Sequence, residues 1–368
     1  MTENNPDDTM IGLTPSTPTF SFGPVSNSTS SSGRPSPAVG ITLLVVALVV
    51  GLPGNLFVVW TVLFRLRRRS ITALIILQLA AADCLVLLTA PFFLRQLSAG
   101  GVWEFGDTAC RMLHYGCGVN MYVSVYLITL MAGDRLLGVS RPFVSQRVRT
   151  KSRLRPAIGA IWTLALVLSI PVAVYKHVDP KSYCKPNYPS AGHEVFHYGL
   201  ELVAAFVLPF IMLALCYCRI SRTLEAAQFR WRRRSRRKTG RLIVLIMASF
   251  ILLWVPYHLV NLLQTSAILA GEKGVKLLDI CKTIRPMVIA LAFLSSSINP
   301  LLYACTGSTL SGTSGLGCIA RLLEGTSSET QSRRGDSQGD RGGNAGEQNG
   351  ESLRMGHNSG KEKNDQKE

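Results

Sequence analysis

The chain has 368 residues, a formal net charge of +17, 47% apolar residues and only 17% charged ones. A soluble domain cannot be so basic and so apolar unless the two characters are segregated along the chain, and mean hydropathy is positive. Composition therefore argues against an ordinary soluble enzyme, and the placement of the charge decides against a nucleic-acid binder.

Residues 1–37 are rich in Pro, Ser, Thr and Asn and lack a signal-peptide core. They read as a disordered tail carried across a membrane. "NST" at Asn27 is then an N-glycosylation acceptor on the outer side. Apolar stretches follow near 38–64, 72–97, 108–140, 156–176, 196–222, 240–270 and 278–304. Each matches the roughly 20 residues that cross a hydrocarbon core ~30 Å thick. The third and seventh are the most polar. Several are apolar on every face, which a soluble bundle does not tolerate. The expected fold is an all-α membrane protein, a seven-transmembrane helix bundle over 38–306.

Three basic runs sit in alternate loops: "RLRRRS" (65–70), "RVRTKSRLRP" (147–156) and "RWRRRSRRKTGR" (230–241). All therefore share one side. The positive-inside rule makes it cytoplasmic, with the N-terminus outside. Such clusters attract anionic lipid rather than nucleic acid. Residues 307–368 read as a mostly disordered cytoplasmic tail. Within it "CIARLLEG" (318–325) has the pattern of a short amphipathic helix. Cys318 there is either a palmitoylation site or a spare thiol. Thr326, Ser327, Ser328, Thr330 and Ser332 are candidate phosphosites for arrestin.

Polar residues inside the spans carry the functional reading, because a charge at mid-membrane costs roughly 2.5–3.5 kcal/mol on insertion scales. Asp83 stands in the middle of span two. Asn55, Asn120, Ser124, Ser295, Ser296 and Asn299 are its candidate partners. A carboxylate among hydroxyls and amides suits Na⁺, with Asp83 and Ser124 as ligands. A hydrogen-bonded core without an ion is the alternative. Pro91, Pro171, Pro209, Pro256 and Pro300 each fall inside a span and each removes a backbone hydrogen bond. Phe250 and Trp254 lie one turn apart beside Pro256, as a hinge or as aromatic packing around a bend.

Arg135 follows Cys110 by 25 residues, about 37 Å of helix at ~1.5 Å per residue. Cys110 therefore sits at the outer boundary, and Asp134 and Arg135 at the inner one. Cys184 falls in the second outer loop, also on the side where disulfides persist. The residues alone leave open whether the two pair. Cys84, Cys117, Cys216, Cys218 and Cys305 lie in apolar runs and read as small hydrophobes. No CxxC or Cys/His spacing suggests zinc.

Residues 38–306 resemble the rhodopsin-like (class A) G-protein-coupled receptors. The resemblance rests on Gly54–Asn55, "LAAAD" ending at Asp83, Cys110, Asp134–Arg135, Trp162, Pro209 with Tyr217, "WVP" at 254–256 and "NPLLY" at 299–303, in that order. It implies a Cys110–Cys184 disulfide and a sodium pocket of Asp83, Ser124, Ser295 and Asn299. It also implies that Phe250 and Trp254 form a rotamer switch, that Tyr217 and Tyr303 move inward, and that Arg135 meets a heterotrimeric G protein. The triplet here is "DRL", and the inner end of span six carries Arg236 and Arg237 with no acid nearby. Arg135 is therefore expected to be restrained by Asp134 and not by span six.

"VGLPGNLFVVW", "SRPFVSQRVRTK", "LAFLSSSINPLLYAC" and "RLLEGTSSE" are similar to leukotriene B4 receptors. "RPFVSQ" favours type 1, while "PVAVYKH" and "VNLLQ" look more like type 2. The implied ligand carries one carboxylate, two hydroxyls and an apolar chain, and the implied G protein is of the inhibitory class. Lys176, His114 and Arg285 are the candidate cations for the carboxylate, with Arg285 favoured for its bidentate fork. Tyr115, Tyr122, Glu201, Tyr257, His258 and Asn261 are the candidate hydroxyl partners. No cofactor is required beyond an allosteric Na⁺. A receptor for another carboxylate lipid or peptide is the nearest alternative. A transporter would call for internal repeats or broken helices, which the sequence lacks. No nucleophile–base pair suggests an enzyme.

Overall fold

The computed structural model describes residues 37–66, 69–226 and 233–311. Asn27, Cys318, the 318–325 segment and the tail phosphosites lie outside the described residues, as do the side chains of Phe250, Arg236, Arg237 and Tyr303.

Span one is α1 (Pro37–Trp60), closed by a π-helical turn (Thr61–Arg65). Arg69 terminates it by donating to the Val62 and Leu63 carbonyls, which have no acceptor role left inside the helix. Span two is α2 (Ile71–Leu87) and α3 (Ala90–Ser98). Ser70 starts α2 by accepting the Ala73 N–H at 3.1 Å, an N-cap. Span three is one helix, α4 (Gly106–Ser140), followed by a short α5 (Pro142–Val148). Span four is α6 (Lys151–Leu168) and α7 (Ile170–Tyr175). Span five is α8 (Ala191–Glu201), a π-turn (Leu202–Val207) and α9 (Leu208–Ala226). Spans six and seven are α10 (Arg233–Leu269) and α11 (Val275–Ser311).

Among the described residues, six of these spans are long and apolar enough to cross a membrane. Ser296, Ser297 and Asn299 of α11 are buried and face the bundle. Several helices outrun the expected spans. Lys151–Arg155, for example, is helical although too charged to score as membrane.

The prolines behave in two ways. Pro91 and Pro171 each stand in the first turn of a new helix, after a break in the span. There the missing N–H is not needed. Pro256 and Pro300 are carried within α10 and α11. Pro209 follows the π-turn of span five.

The long α4 is the central post, packed against α2, α6, α9 and α10, while α11 closes the bundle against α1 and α10. Tyr122, Leu127, Ile128 and Met131 of α4 are fully buried with Ile75, Ile76 and Leu79 of α2. Glycine permits the α1–α11 approach. A Cβ on Gly54 would stand 2.8 Å from the Pro300 Cβ, and one on Gly51 would overlap the Ser297 hydroxyl. That hydroxyl donates to the Ala47 carbonyl at 2.8 Å, so α11 reads the α1 backbone directly.

On the outer side a hairpin of β1 (Lys176–Val178) and β2 (Cys184–Pro186) pairs antiparallel, Lys176 opposite Pro186 and Val178 opposite Cys184. The Cys110–Cys184 disulfide ties it to the top of α4, as the resemblance implies. Asp107 adds a second tie by accepting the Val178 N–H at 2.8 Å. Asp179 closes the connection by accepting the Lys181 and Tyr183 N–H groups and pairing with Lys185 at 2.6 Å.

Gly51→Leu must push α1 away from α11, and overpacking of this kind costs about 1–3 kcal/mol. Thermal unfolding of the detergent-purified protein should show a lower midpoint than wild type; an unchanged midpoint would mean that the approach is not tightly packed.

Candidate functional site

Beneath the hairpin, spans five, six and seven meet through a buried carboxylate. Glu201, the last residue of α8, is 4% exposed. It accepts the Tyr257 hydroxyl at 2.8 Å and the Asn261 amide at 2.9 Å, both from α10. Its other oxygen lies 3.4 Å from His197 Nε2, one turn earlier on α8. The His197 Nδ1 in turn contacts the Tyr188 hydroxyl at 2.7 Å. Spacing explains the assembly: 197 and 201 share a helical face, as do 257, 261 and 264.

Arg285 of α11 completes the cluster. It donates to Asn261 Oδ1 at 3.0 Å and to Gln264 Oε1, and its guanidinium lies 4.6 Å from the Tyr198 ring centroid. Gln264 passes the network back to α8 by donating to Glu194 at 2.6 Å. The guanidinium Nε is buried without a hydrogen-bond partner. Lys176, first residue of β1, is partly buried and has no hydrogen bond or ion pair among the described residues. Burial and the facing Arg285 push its ammonium down to about 8. The cluster thus presents two cations that lack a carboxylate of their own at contact distance.

Deeper in the bundle, His258 is 1% exposed and stacks on Phe206 at 5.0 Å, with both ring nitrogens unpartnered. The Tyr122 hydroxyl is likewise buried and unpartnered. Unsatisfied buried polar groups are costly and mark places where a ligand or water completes the bonding. One turn below His258, Trp254 donates to the Ser295 hydroxyl at 3.0 Å and so links α10 to α11.

Several expected residues stand elsewhere. Tyr115 follows His114 by one helical step, about 100° round α4. Its hydroxyl donates to the Leu166 carbonyl of α6 at 3.1 Å, so it does not join the cluster. The His114 ring is held by the Cys110 carbonyl at 2.8 Å and packs edge-on against Phe93. It lies 3.5 Å from Cys184 Sγ, but both nearby sulfurs belong to the disulfide, so this group is not a metal site.

At mid-bundle, Asp83 accepts the Asn299 amide at 2.8 Å. Ser295, an expected neighbour of Asp83, is engaged with Trp254 and the Ala292 carbonyl. Ser296, one step on, faces the polar core: its carbonyl accepts Asn55 Nδ2 at 2.9 Å and its hydroxyl lies 3.5 Å from Asn120 Nδ2. Ser124 Oγ, Asn120 Oδ1 and Asn55 Oδ1 are buried without partners.

At the cytoplasmic end the expectation for Asp134 needs correction. Both of its oxygens are taken by Arg149, from the loop after α5, at 2.6 and 2.8 Å. Arg135 points round the helix and donates to the Thr72 hydroxyl on α2 at 2.9 Å. A loop contact 15 residues away has no periodic signature, so only the excess of arginines hinted at it. Tyr217 lies on α9, 48% exposed. His197, Tyr198, Glu194 and Gln264 were missed because single polar residues near a span end read as interfacial.

Glu201→Ala leaves the Tyr257 hydroxyl and the Asn261 amide without their acceptor, at about 1–3 kcal/mol for each buried group. Its unfolding midpoint should fall clearly below wild type, while Tyr115→Phe, losing one bond to a helix carbonyl, should fall less. The reverse order would show that the cluster is not the stronger tie.

The 7 transmembrane receptor (rhodopsin family) model matches residues 54–303. The human leukotriene B4 receptor 1 is 52% identical over 324 residues, covering 84% of this chain and 91% of that protein. The human leukotriene B4 receptor 2 is 40% identical, covering 83% and 86%. The guinea pig (Cavia porcellus) C5a anaphylatoxin chemotactic receptor 1 is 34% identical, covering 74% and 79%. Similarity is thus greater to the type 1 receptor than to type 2. The chain belongs to the rhodopsin family of seven-transmembrane receptors, and it is a receptor rather than an enzyme.

Proposed function

We propose that this chain is a plasma-membrane receptor for leukotriene B4 that activates heterotrimeric G proteins of the inhibitory class in chemotaxis and inflammation. The observation that carries the reading is the cluster of Lys176 and Arg285 above the donors and acceptors of Glu201, Tyr257, Asn261 and His258. It matches a ligand with an acid at one end and hydroxyls along an apolar chain. The relatives named above support the same choice.

In this reading the carboxylate sits between Lys176 and Arg285, under the hairpin. A hydroxyl meets Tyr257 or Asn261 near Glu201, and a deeper one meets His258 and Tyr122. The apolar chain then lies on Trp254. Agonist favours the state in which its contacts are best, and the Trp254–Ser295 link passes the bias to the polar core and on to the cytoplasmic ends. The extracellular N-terminus glycosylated at Asn27, and arrestin recruitment by the phosphorylated tail, belong to the same proposal.

An opposed reading keeps the fold and changes the ligand. The C5a relative makes a peptide chemoattractant with a carboxylate the second candidate. Transfected cells should lower cyclic AMP in response to nanomolar leukotriene B4 and ignore C5a. A response to the peptide alone, with surface expression confirmed, would replace the lipid.

Lys176 makes the binding pH-dependent. A carboxylate favours the charged ammonium, so the Lys176 pKa rises above about 8 on binding. Affinity is then level at neutral pH and weakens as pH rises past about 8, towards tenfold per unit. Radioligand binding to membranes should show this fall, and Lys176→Arg should flatten it. A flat wild-type profile would remove Lys176 from the carboxylate site.

Sodium fits the mid-bundle core. Asp83 supplies a carboxylate, and the unpartnered oxygens of Ser124 and Asn120 are hard ligands. These residues, with Asn299 and Ser296 beside them, would hold the ion, which would stabilise the resting arrangement of spans two, three and seven. Agonist affinity should be lower in sodium than in N-methylglucamine buffer, and Asp83→Asn should abolish the difference. Persistent sodium sensitivity in that variant would make Asp83 purely structural.

A further inference from the structure

We infer that Arg149 supports signalling by competing with Arg135 for Asp134, and so keeps Arg135 out of the acid's grip. Asp134 is a carboxylate 7% exposed, and Arg149 a guanidinium 19% exposed. The Nε and Nη2 donors meet the two oxygens in parallel at 2.6 and 2.8 Å, the strong bidentate form. Both oxygens of Asp134 are thereby engaged. Gly138, one turn further along α4, faces the same loop, and a Cβ there would meet Arg149 Nη1 and the Ser145 hydroxyl at an ordinary contact distance of 4.0 Å. Arg135 meanwhile reaches across to Thr72 of α2.

A buried carboxylate deprived of its partner is strongly unfavourable, so it recruits another cation. Arg135 is the next residue on the same helix and carries a long flexible stem. Removing Arg149 therefore transfers the acid to Arg135 and draws that guanidinium back along α4, away from the cytoplasmic face where the G protein docks. Arg149 is a positioning residue: it acts on the G protein through the choice that Asp134 makes. The inference rests on the proposed G-protein coupling but not on the identity of the ligand. It also predicts a direction opposite to that of a simple latch, whose loss would raise basal activity.

The test is nucleotide exchange on purified inhibitory-class heterotrimer by the full-length receptor in lipid nanodiscs, with and without leukotriene B4. Arg135→Ala sets the background. Arg149→Ala should slow exchange about fivefold or more, the lower end of typical coupling energies. Adding Asp134→Asn to Arg149→Ala removes the acid for which Arg135 would leave, and exchange should return to the level of Asp134→Asn alone. Arg149→Lys, which keeps the charge but loses the fork, should fall between. That variant and the double variant carry the comparison if Arg149→Ala is poorly expressed. Faster or unchanged exchange in Arg149→Ala overturns the inference. So does a double variant that stays slow, because Arg149 would then act only by shaping the loop. Wild-type exchange no faster than Arg135→Ala in both conditions would instead defeat the proposed G-protein coupling, and this inference with it. A wild type that exchanges without leukotriene B4 and ignores it would fault the ligand alone.

Discussion

The outer half of this receptor depends on one buried carboxylate. Glu201 can remain among apolar helices because the Tyr257 hydroxyl and the Asn261 amide donate to it, with His197 Nε2 3.4 Å from its other oxygen. That requirement brings α10 against α8, and Asn261 and Gln264 then orient Arg285 from α11. Three spans are thus joined by a single chain of polar contacts that includes the Arg285 guanidinium.

The hairpin is fixed with equal care. The Cys110–Cys184 disulfide and the Asp107 carboxylate both hold its β strands to the top of α4. Lys176 follows directly from α7, so its position is set by the strand register and not by a flexible loop. Elsewhere in the bundle, further contacts join neighbouring spans: Trp254 to Ser295, Asn299 to Asp83, Arg135 to Thr72. Each joins two helices, so a small change at one level alters packing at the next.

Much of this was legible in the sequence, for identifiable reasons. The spans were visible because a bilayer demands long apolar runs. Asp83 stood out because a charge in that setting needs partners, and Glu201, Tyr257, His258, Asn261 and Arg285 were all named. What failed was angular detail. Ser295 and Ser296, or His114 and Tyr115, differ by one step and therefore face different neighbours. Asp134 was expected to hold Arg135, but both of its oxygens are engaged by Arg149. Its true partner Arg149 arrives from a loop, where no periodicity exists to announce it.

The account centres on a carboxylate held between Lys176 and Arg285. An electron cryomicroscopy structure of the receptor bound to leukotriene B4 and a G protein tests it most directly. The account predicts density for the acid at hydrogen-bond distance from one or both cations, with the hydroxylated chain descending past Tyr257 and His258 towards Trp254. A ligand whose carboxylate points down to the polar core, or that lies outside the space beneath the hairpin, would contradict it.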